Sequence, residues 1–332
     1  MRSSSFTRST VGVFAAGALL AGCGSVQSPS LIPGGASANV GHADHHRSWM
    51  NPAARSKALL YVSDIGAGDV YAFAYPKGTL MGTLTGFDEP AGLCADKSGN
   101  VWIAEAKAAE ILKYAHGGTK PIATIDETGQ EPIGCAIDPT TGNLAVSNVA
   151  TTTGGNGSVS VYLDASGTPT NYTDSVMPRM TFVGYDDGGN LFVDGANGSS
   201  TFEFAELASG GNALTNINLN QSFEAPGGVA WDGKYMAVGD LLAGVVYQFS
   251  ITASGATEEG STDLTGGYSV EDFSIPLDRH QKAGKQGDRI IGPSSPQQQI
   301  GFWKYPKGGE PTKTITQGVD EPFGSAISRG KT

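Results

Sequence analysis

The chain has 332 residues, of which 48 are Gly, 16% are charged and 39% are hydrophobic. That apolar share supports a packed core, and the glycine-rich, charge-poor remainder points to a turn-dense all-β fold rather than helical repeats or general disorder. A formal charge of −11, which becomes −13 if Arg2 and Arg8 are removed with a leader, disfavours nucleic-acid phosphates and anionic lipid surfaces as partners.

The first element is a leader: Arg2 and Arg8 flank a polar stretch, and Val11 to Leu20 supplies an apolar run too short to span a bilayer. It runs into Leu20-Ala21-Gly22-Cys23, which resembles the lipobox of bacterial lipoprotein signals. The resemblance implies that residues 1–22 are a signal peptide and that Cys23 is lipidated as the first mature residue, tethering an exported protein to the cell envelope. Gly24, not being Asp, fits outer-membrane sorting in a Gram-negative host.

From residue 23 to 56 the composition is Ser, Pro, Gly, Ala and Asn without a sustained apolar period, which predicts a disordered tether. His42, His45 and His46 lie within it, and with no rigid element to hold the imidazoles they read as solvated linker rather than a metal site.

From Leu59 onward a repeat sets the expected fold. The stretch from Glu89 to Glu105 matches that from Glu131 to Asn148 with one inserted residue, and weaker copies follow at Phe182 to Gly195, Pro226 to Asp240 and Phe273 to Pro293. The turn glycines Gly99, Gly142, Gly189, Gly233 and Gly287 stand 43, 47, 44 and 54 residues apart, near the ~40–50 residues of a four-stranded propeller blade. Each unit reads as a strand after Pro-x-Gly, a tight Asp-x-x-Gly-Asn hairpin, a second strand and a third. Third-strand copies begin at Val70, Ile111, Val159, Thr201, Val245 and Ile300, giving six blades. The first lacks a leading strand, and a spare one remains at Glu321 to Ser328. The expectation for residues 57–330 is therefore a six-bladed all-β propeller of four-stranded antiparallel blades, closed by the C-terminal strand completing blade 1.

The pattern Pro-x-Gly-x-x-x-Asp, then Gly-Asn, an apolar residue, any residue and Val, resembles NHL-repeat propellers and, more distantly, the gluconolactonase and senescence-marker propellers. The resemblance implies the fold; it does not choose among scaffolds, sensors, lactonases and lyases. In the lactonases a divalent metal is held partly by residues at the x of Pro-x-Gly. Here those positions are Ala91, Ile133, Gly227 and Phe323, with Arg179 or Met180 and Val270 or Glu271 in the weak copies, a set too poor in oxygen ligands for a hard cation. The lyase-type propellers lean on histidine, and the body offers only His116 and His280.

A second ring ends the second strands: Asp64, Glu105, Asn148, Asp194 beside Gly195, and Asp240. This oxygen-rich collar either binds a cation, for instance Ca²⁺, or the hydroxyls of a sugar, or caps its own loops by accepting backbone N–H groups. No Gly-x-Ser-x-Gly, Cys beside His or phosphate loop is present, so no catalytic residue is assigned. Trp102, Phe73, Phe302 and Trp303 sit within strands and read as core.

With Cys23 lipidated, Cys94 and Cys135 remain. They occupy equivalent strands of adjacent blades, and counting from Gly92 and Gly134 their side chains point to opposite sheet faces, so that if Cys94 points forward to the next blade Cys135 points back toward it. A disulfide is expected, against the alternative of two buried thiols. Arg279, His280, Lys282, Lys285 and Arg289 form a basic stretch in the longest repeat, a solvated loop or a docking site. The expected function is a non-enzymatic, monomeric binding or scaffold module for an envelope protein, peptide or glycan; the alternatives are a metal-assisted lactonase or hydrolase built on the collar, and a purely structural envelope protein.

Overall fold

The computed structural model describes residues 47–253, 255–267, 270–277 and 284–330. They form a six-bladed propeller of antiparallel blades. Blade 2 runs outward through Pro90–Ala95, Val101–Glu105, Glu110–Tyr114 and Pro121–Asp126. Blade 3 (Gln130–Ile137, Leu144–Thr151, Asn156–Tyr162, Thr170–Tyr172), blade 4 (Arg179–Tyr185, Leu191–Ala196, Phe202–Leu207, Thr215–Asn216) and blade 5 (Pro226–Trp231, Met236–Asp240, Val245–Thr252, Gly255–Asp263) repeat the order. Blade 6 has Arg289–Ser294, Gln299–Lys304 and Lys313–Ile315 as a sheet. Among the described residues its innermost chain joins that sheet through the bridges of Val270 to Ser294 and Ser274 to Ile291.

Blade 1 is closed as expected. Pro322–Ser328 pairs with Leu59–Asp64, which continues to Asp69–Ala74 and Thr79–Thr85, so the ends of the ring share one ladder and no open seam remains. A fifth strand, Trp49–Met50, adds to the outer edge of this blade. Ser48 Oγ accepts from the Thr85 N–H, and Asn51 caps the 3-10 turn Pro52–Ser56 by accepting from the Ala53 N–H. The folded body therefore begins before residue 57, and the last part of the expected tether belongs to it. An exposed edge strand leaves N–H and C=O groups unpaired, and the preceding chain satisfies them with a segment too short to show a period.

The strands are apolar on both faces because every blade is sandwiched between two others. In Leu59–Asp64, Leu59 and Tyr61 pack toward blade 2 while Leu60 and Val62 pack toward blade 6. Val101 and Ile103 of blade 2 join the first of these clusters, whereas Trp102 and Ala104 join Leu144, Val146 and Tyr162 of blade 3. A period of two thus feeds two junctions from one strand, and six apolar clusters fill the six junctions. Trp102, Phe73, Phe302 and Trp303 are buried in them.

Near the axis the blades come close enough that side chains are excluded at some positions. A Cβ on Gly92 would lie 2.6 Å from the carbonyl oxygen of Ile133 in the next blade. Serines latch neighbouring blades at the same register: Ser63 Oγ donates to Ala91 O of blade 2 at 2.5 Å, and Ser147 Oγ to Thr181 O of blade 4 at 2.7 Å. The hairpin turns also form as read. Asp96 Oδ1 accepts from the Ser98 and Asn100 N–H groups, and Asp186 does the same for Gly188 and Asn190.

Candidate functional site

The innermost strands all run from the mouth that carries the Pro-x-Gly turns and the collar to the mouth that carries the Asp-x-x-Gly-Asn hairpins. The two mouths differ in kind.

At the collar mouth the carboxylate oxygens are engaged by the protein itself, while Asn148 Oδ1 is buried without a hydrogen-bond partner among the described residues. Asp64 is fully buried; its Oδ1 accepts from the N–H groups of Ala67 and Glu321 at 3.0 Å each, and its Oδ2 from Asp320 at 2.7 Å. Asp240 accepts from Glu224, Ala225 and Ala243 at 2.9, 3.3 and 3.2 Å. Glu105 accepts from Asp88 and Glu89, and burial raises its carboxyl above the usual range despite those donors. Asn148 donates through Nδ2 to Ser158 and Ser160, and Ser160 and Tyr162 in turn donate to the buried Glu127.

Asp194 stands elsewhere, at the latch register of Ser63 and Ser147. Its Oδ1 accepts from Phe182 N–H in its own blade at 2.7 Å and its Oδ2 from Gly227 N–H in blade 5 at 3.1 Å. Burial pushes its pKa up to about 8. Among the described residues no three His, Cys, Asp or Glu side chains converge as a metal site. Ca²⁺ needs several oxygens aimed at one point, whereas the lone pairs of Asp64, Glu105, Asp194 and Asp240 face backbone N–H groups of separate segments. Asn148 Oδ1 is left over, and one such oxygen does not make a calcium site.

The axis is closed near this mouth. Phe182 of blade 4 and Phe323 of blade 1, opposite members of a six-blade ring, meet with ring centroids 6.0 Å apart. Asp272 of blade 6 pairs in parallel with Gly324 of blade 1, and its N–H donates to Phe323 O at 3.2 Å while Ser325 N–H donates to Asp272 O at 3.1 Å. The Pro-x-Gly residue Phe323 therefore acts as a plug.

Beyond the plug lies a cavity of about 480 Å³ that opens at the hairpin mouth. Its size falls within the range of small-molecule sites. Leu93, Val183, Val229, Ile275, Tyr185 and Trp231 supply apolar wall, the Cys94–Cys135 disulfide forms part of one side, and Asp187, Lys285 and Arg329 lie toward the rim. The expected disulfide is present, with the Cα atoms 5.6 Å apart. Asp272 is the carboxyl at depth. Its Oδ2 accepts one long hydrogen bond, 3.4 Å from Leu93 N–H, and burial pushes its pKa up to about 7. Glu271 beside it is pushed up to about 8 by burial and then by the charges of Asp272 and Glu321.

Of the basic stretch, Arg289 is held by Asp288 at 2.9 Å and Lys285 lines the cavity, while Arg279, His280 and Lys282 lie outside the described residues, as do Cys23 and the histidines 42, 45 and 46. His116 sits off the cavity with Nδ1 2.6 Å from Ser328 Oγ. Sequence reading missed Asp272, Phe182, Tyr185 and Trp231. The available signal was an acid inside the poorest repeat copy, and aromatic residues ending two innermost strands where the other copies carry small or aliphatic ones.

No protein-family model matches the sequence, and no curated protein matches it significantly. Solved structures do match in fold. A chain of a nidogen–laminin complex aligns with a TM-score of 0.64 at 12% identity, covering 83% of this chain and 100% of that one. A protein of unknown function from Bacteroides caccae aligns at 0.58 and 14% identity over 82% of this chain and 100% of its own. The β-propeller domain of Cps50 (Swd1) from Myceliophteria thermophila aligns at 0.55 and 9% identity over 84% of this chain and 88% of its own. At such identities the likeness establishes one thing, that this chain is a β-propeller.

Proposed function

We propose that the chain is an exported, lipid-anchored propeller, related to the NHL-repeat type, that works as a non-enzymatic binding module whose ligand enters the axial pocket from the hairpin mouth. The observation that carries this reading is the 480 Å³ cavity on the axis, lined by apolar side chains together with the carboxyl of Asp272. Concave, mostly apolar sites with few polar groups are where small molecules bind. The disulfide accords with an oxidising compartment, and the Leu20-Ala21-Gly22-Cys23 sequence supplies the anchor. The metal-lactonase alternative has less support, since its three carboxylate candidates, Asp64, Glu105 and Asp240, are engaged by backbone N–H groups.

The test is a thermal-unfolding screen of residues 47–332 against small amines, acids, sugars and short peptides, in parallel with Ala95→Trp, which adds a ring at the cavity wall. Compounds that bind the native state raise the midpoint. The reading expects hits that Ala95→Trp loses while its ligand-free midpoint and circular dichroism stay close to wild type. Hits that persist in the variant, or a screen without hits, overturn the pocket as the site. For the anchor, Cys23→Ser is expected to move the protein from the membrane fraction to the soluble fraction.

A further inference from the structure

The chemistry of the pocket narrows its ligand, given the reading that the pocket is the ligand site. We propose that it takes a small organic cation, a protonated primary amine on an apolar or aromatic body, with Asp272 receiving the amine.

The floor is acidic from several directions. Asp272 lines the cavity, and Glu271, Glu321 and Asp194 lie close enough for their charges to act on one another: Asp272 acts on Asp194 and Glu271, and Glu321 acts on Glu271. Asp194 satisfies both its oxygens with backbone N–H groups. Asp272 does not. Among the described residues its side chain accepts only the long bond from Leu93 N–H through Oδ2, leaving acceptor capacity at the end of a cavity. A carboxylate so placed gains most from a charge-assisted donor, which also relieves the crowding of like charges.

An inorganic cation does not suit this floor. Among the described residues no three His, Cys, Asp or Glu side chains converge. Apart from Asp187 toward the rim, the other side-chain oxygens of the lining, those of Ser274, Ser325 and Tyr185, are neutral hydroxyls. The aliphatic and aromatic walls suit instead the carbon body of the ligand, with the half-buried Trp231 and the buried Tyr185 as flat surfaces. The rim cations lie at the far end. Arg329 follows Gly324, the partner of Asp272, by five residues along one extended chain, roughly 16 Å at strand rise, and its Nη2 donates to Leu277 O at 3.0 Å. An anionic ligand would seek that rim, which makes the sign of the preferred head group a direct discriminator.

Three indoles that share a body and differ in head group decide the matter: tryptamine, its neutral alcohol analogue tryptophol, and indole-3-acetate, each titrated calorimetrically into residues 47–332 at about pH 8. Tryptamine is expected to bind at least about tenfold more tightly than tryptophol, a difference of ~1.4 kcal/mol, and indole-3-acetate more weakly than either. Asp272→Asn, a near-isosteric change, is expected to bring tryptamine within about twofold of tryptophol and leave tryptophol unchanged. The head-group series on the unmodified chain needs no variant, so a misfolded Asp272→Asn protein would not shelter the idea. Equal affinity of amine and alcohol, tighter binding of the acid, no binding of any of the three, or full tryptamine affinity in a folded Asp272→Asn protein overturns it. In each of those cases, screening hits of other chemistry that Ala95→Trp abolishes would leave the pocket-as-binding-site reading standing.

Discussion

The two mouths of the ring carry the same kind of atom under opposite circumstances. Asp64 and Asp240 at the collar mouth each accept three backbone N–H bonds, so their charge is stabilised by the loops they organise. Asp272, on the far side of the Phe182–Phe323 plug, accepts one long bond and faces a cavity. A ring of acids is therefore no guide to function by itself; what matters is whether its lone pairs already have donors. The satisfied carboxylates build the mouth, and Asp272 keeps acceptor capacity toward the cavity.

That contrast can be broken at graded cost. The largest effect is expected from the wall itself: Cys94→Ser with Cys135→Ser opens a bridge separated by 41 residues and should destabilise by about 3–4 kcal/mol on the chain-entropy model, read by denaturant unfolding. Next, Asp64→Ala removes a buried acceptor of three N–H groups and is expected to cost about 2–3 kcal/mol. Calcium should leave the midpoint of the wild-type chain unmoved; a saturable calcium-dependent rise lost in Asp64→Ala would instead return the collar to the list of ligand sites.

Asp272→Asn should act with the opposite sign. The native carboxyl titrates near 7 and the unfolded one near the ordinary 3.8, so the native state holds a proton that the unfolded state has lost between those values. Stability conferred by the protonated form is complete below about pH 4 and falls as pH rises to about 7, and Asp194 and Glu271, both pushed up to about 8, extend the fall. At about pH 8 Asp272→Asn is expected to be more stable than wild type by about 1–2 kcal/mol, with the difference shrinking toward pH 4; pH-resolved urea unfolding checks this. The smallest effect belongs to the outer edge, where Trp49→Ala in the added strand should cost under ~1 kcal/mol and leave ligand binding at the axis intact.

Blade count, the closing strand and the disulfide were legible in the chain because each follows from local regularities. A repeated Pro-x-Gly, a repeated hairpin and a spare copy at Glu321 to Ser328 describe a ring once a blade is known to need neighbours on both faces. The period of two puts Cys94 and Cys135 on opposite faces of equivalent strands in adjacent blades, which a bridge requires, and the structure shows that the two faces are the ones that meet.

The mouths were decided by tertiary structure alone. Whether Asp64 meets Asp320 and Glu321 is a matter of contacts more than 250 residues apart in sequence, and Phe182 meets Phe323 only because three blades turn the chain halfway around the axis. Asp194 shows the limit most clearly. It sits one residue before the collar register, which Gly195 occupies, so the alternation of the strand turns it between blades, where serines stand in blades 1 and 3. Only its partners Phe182 and Gly227 show that role. Sequence patterns specify strands because backbone periodicity is local. They do not specify lumens, because a cavity is the space that remains where side chains from remote strands fail to touch.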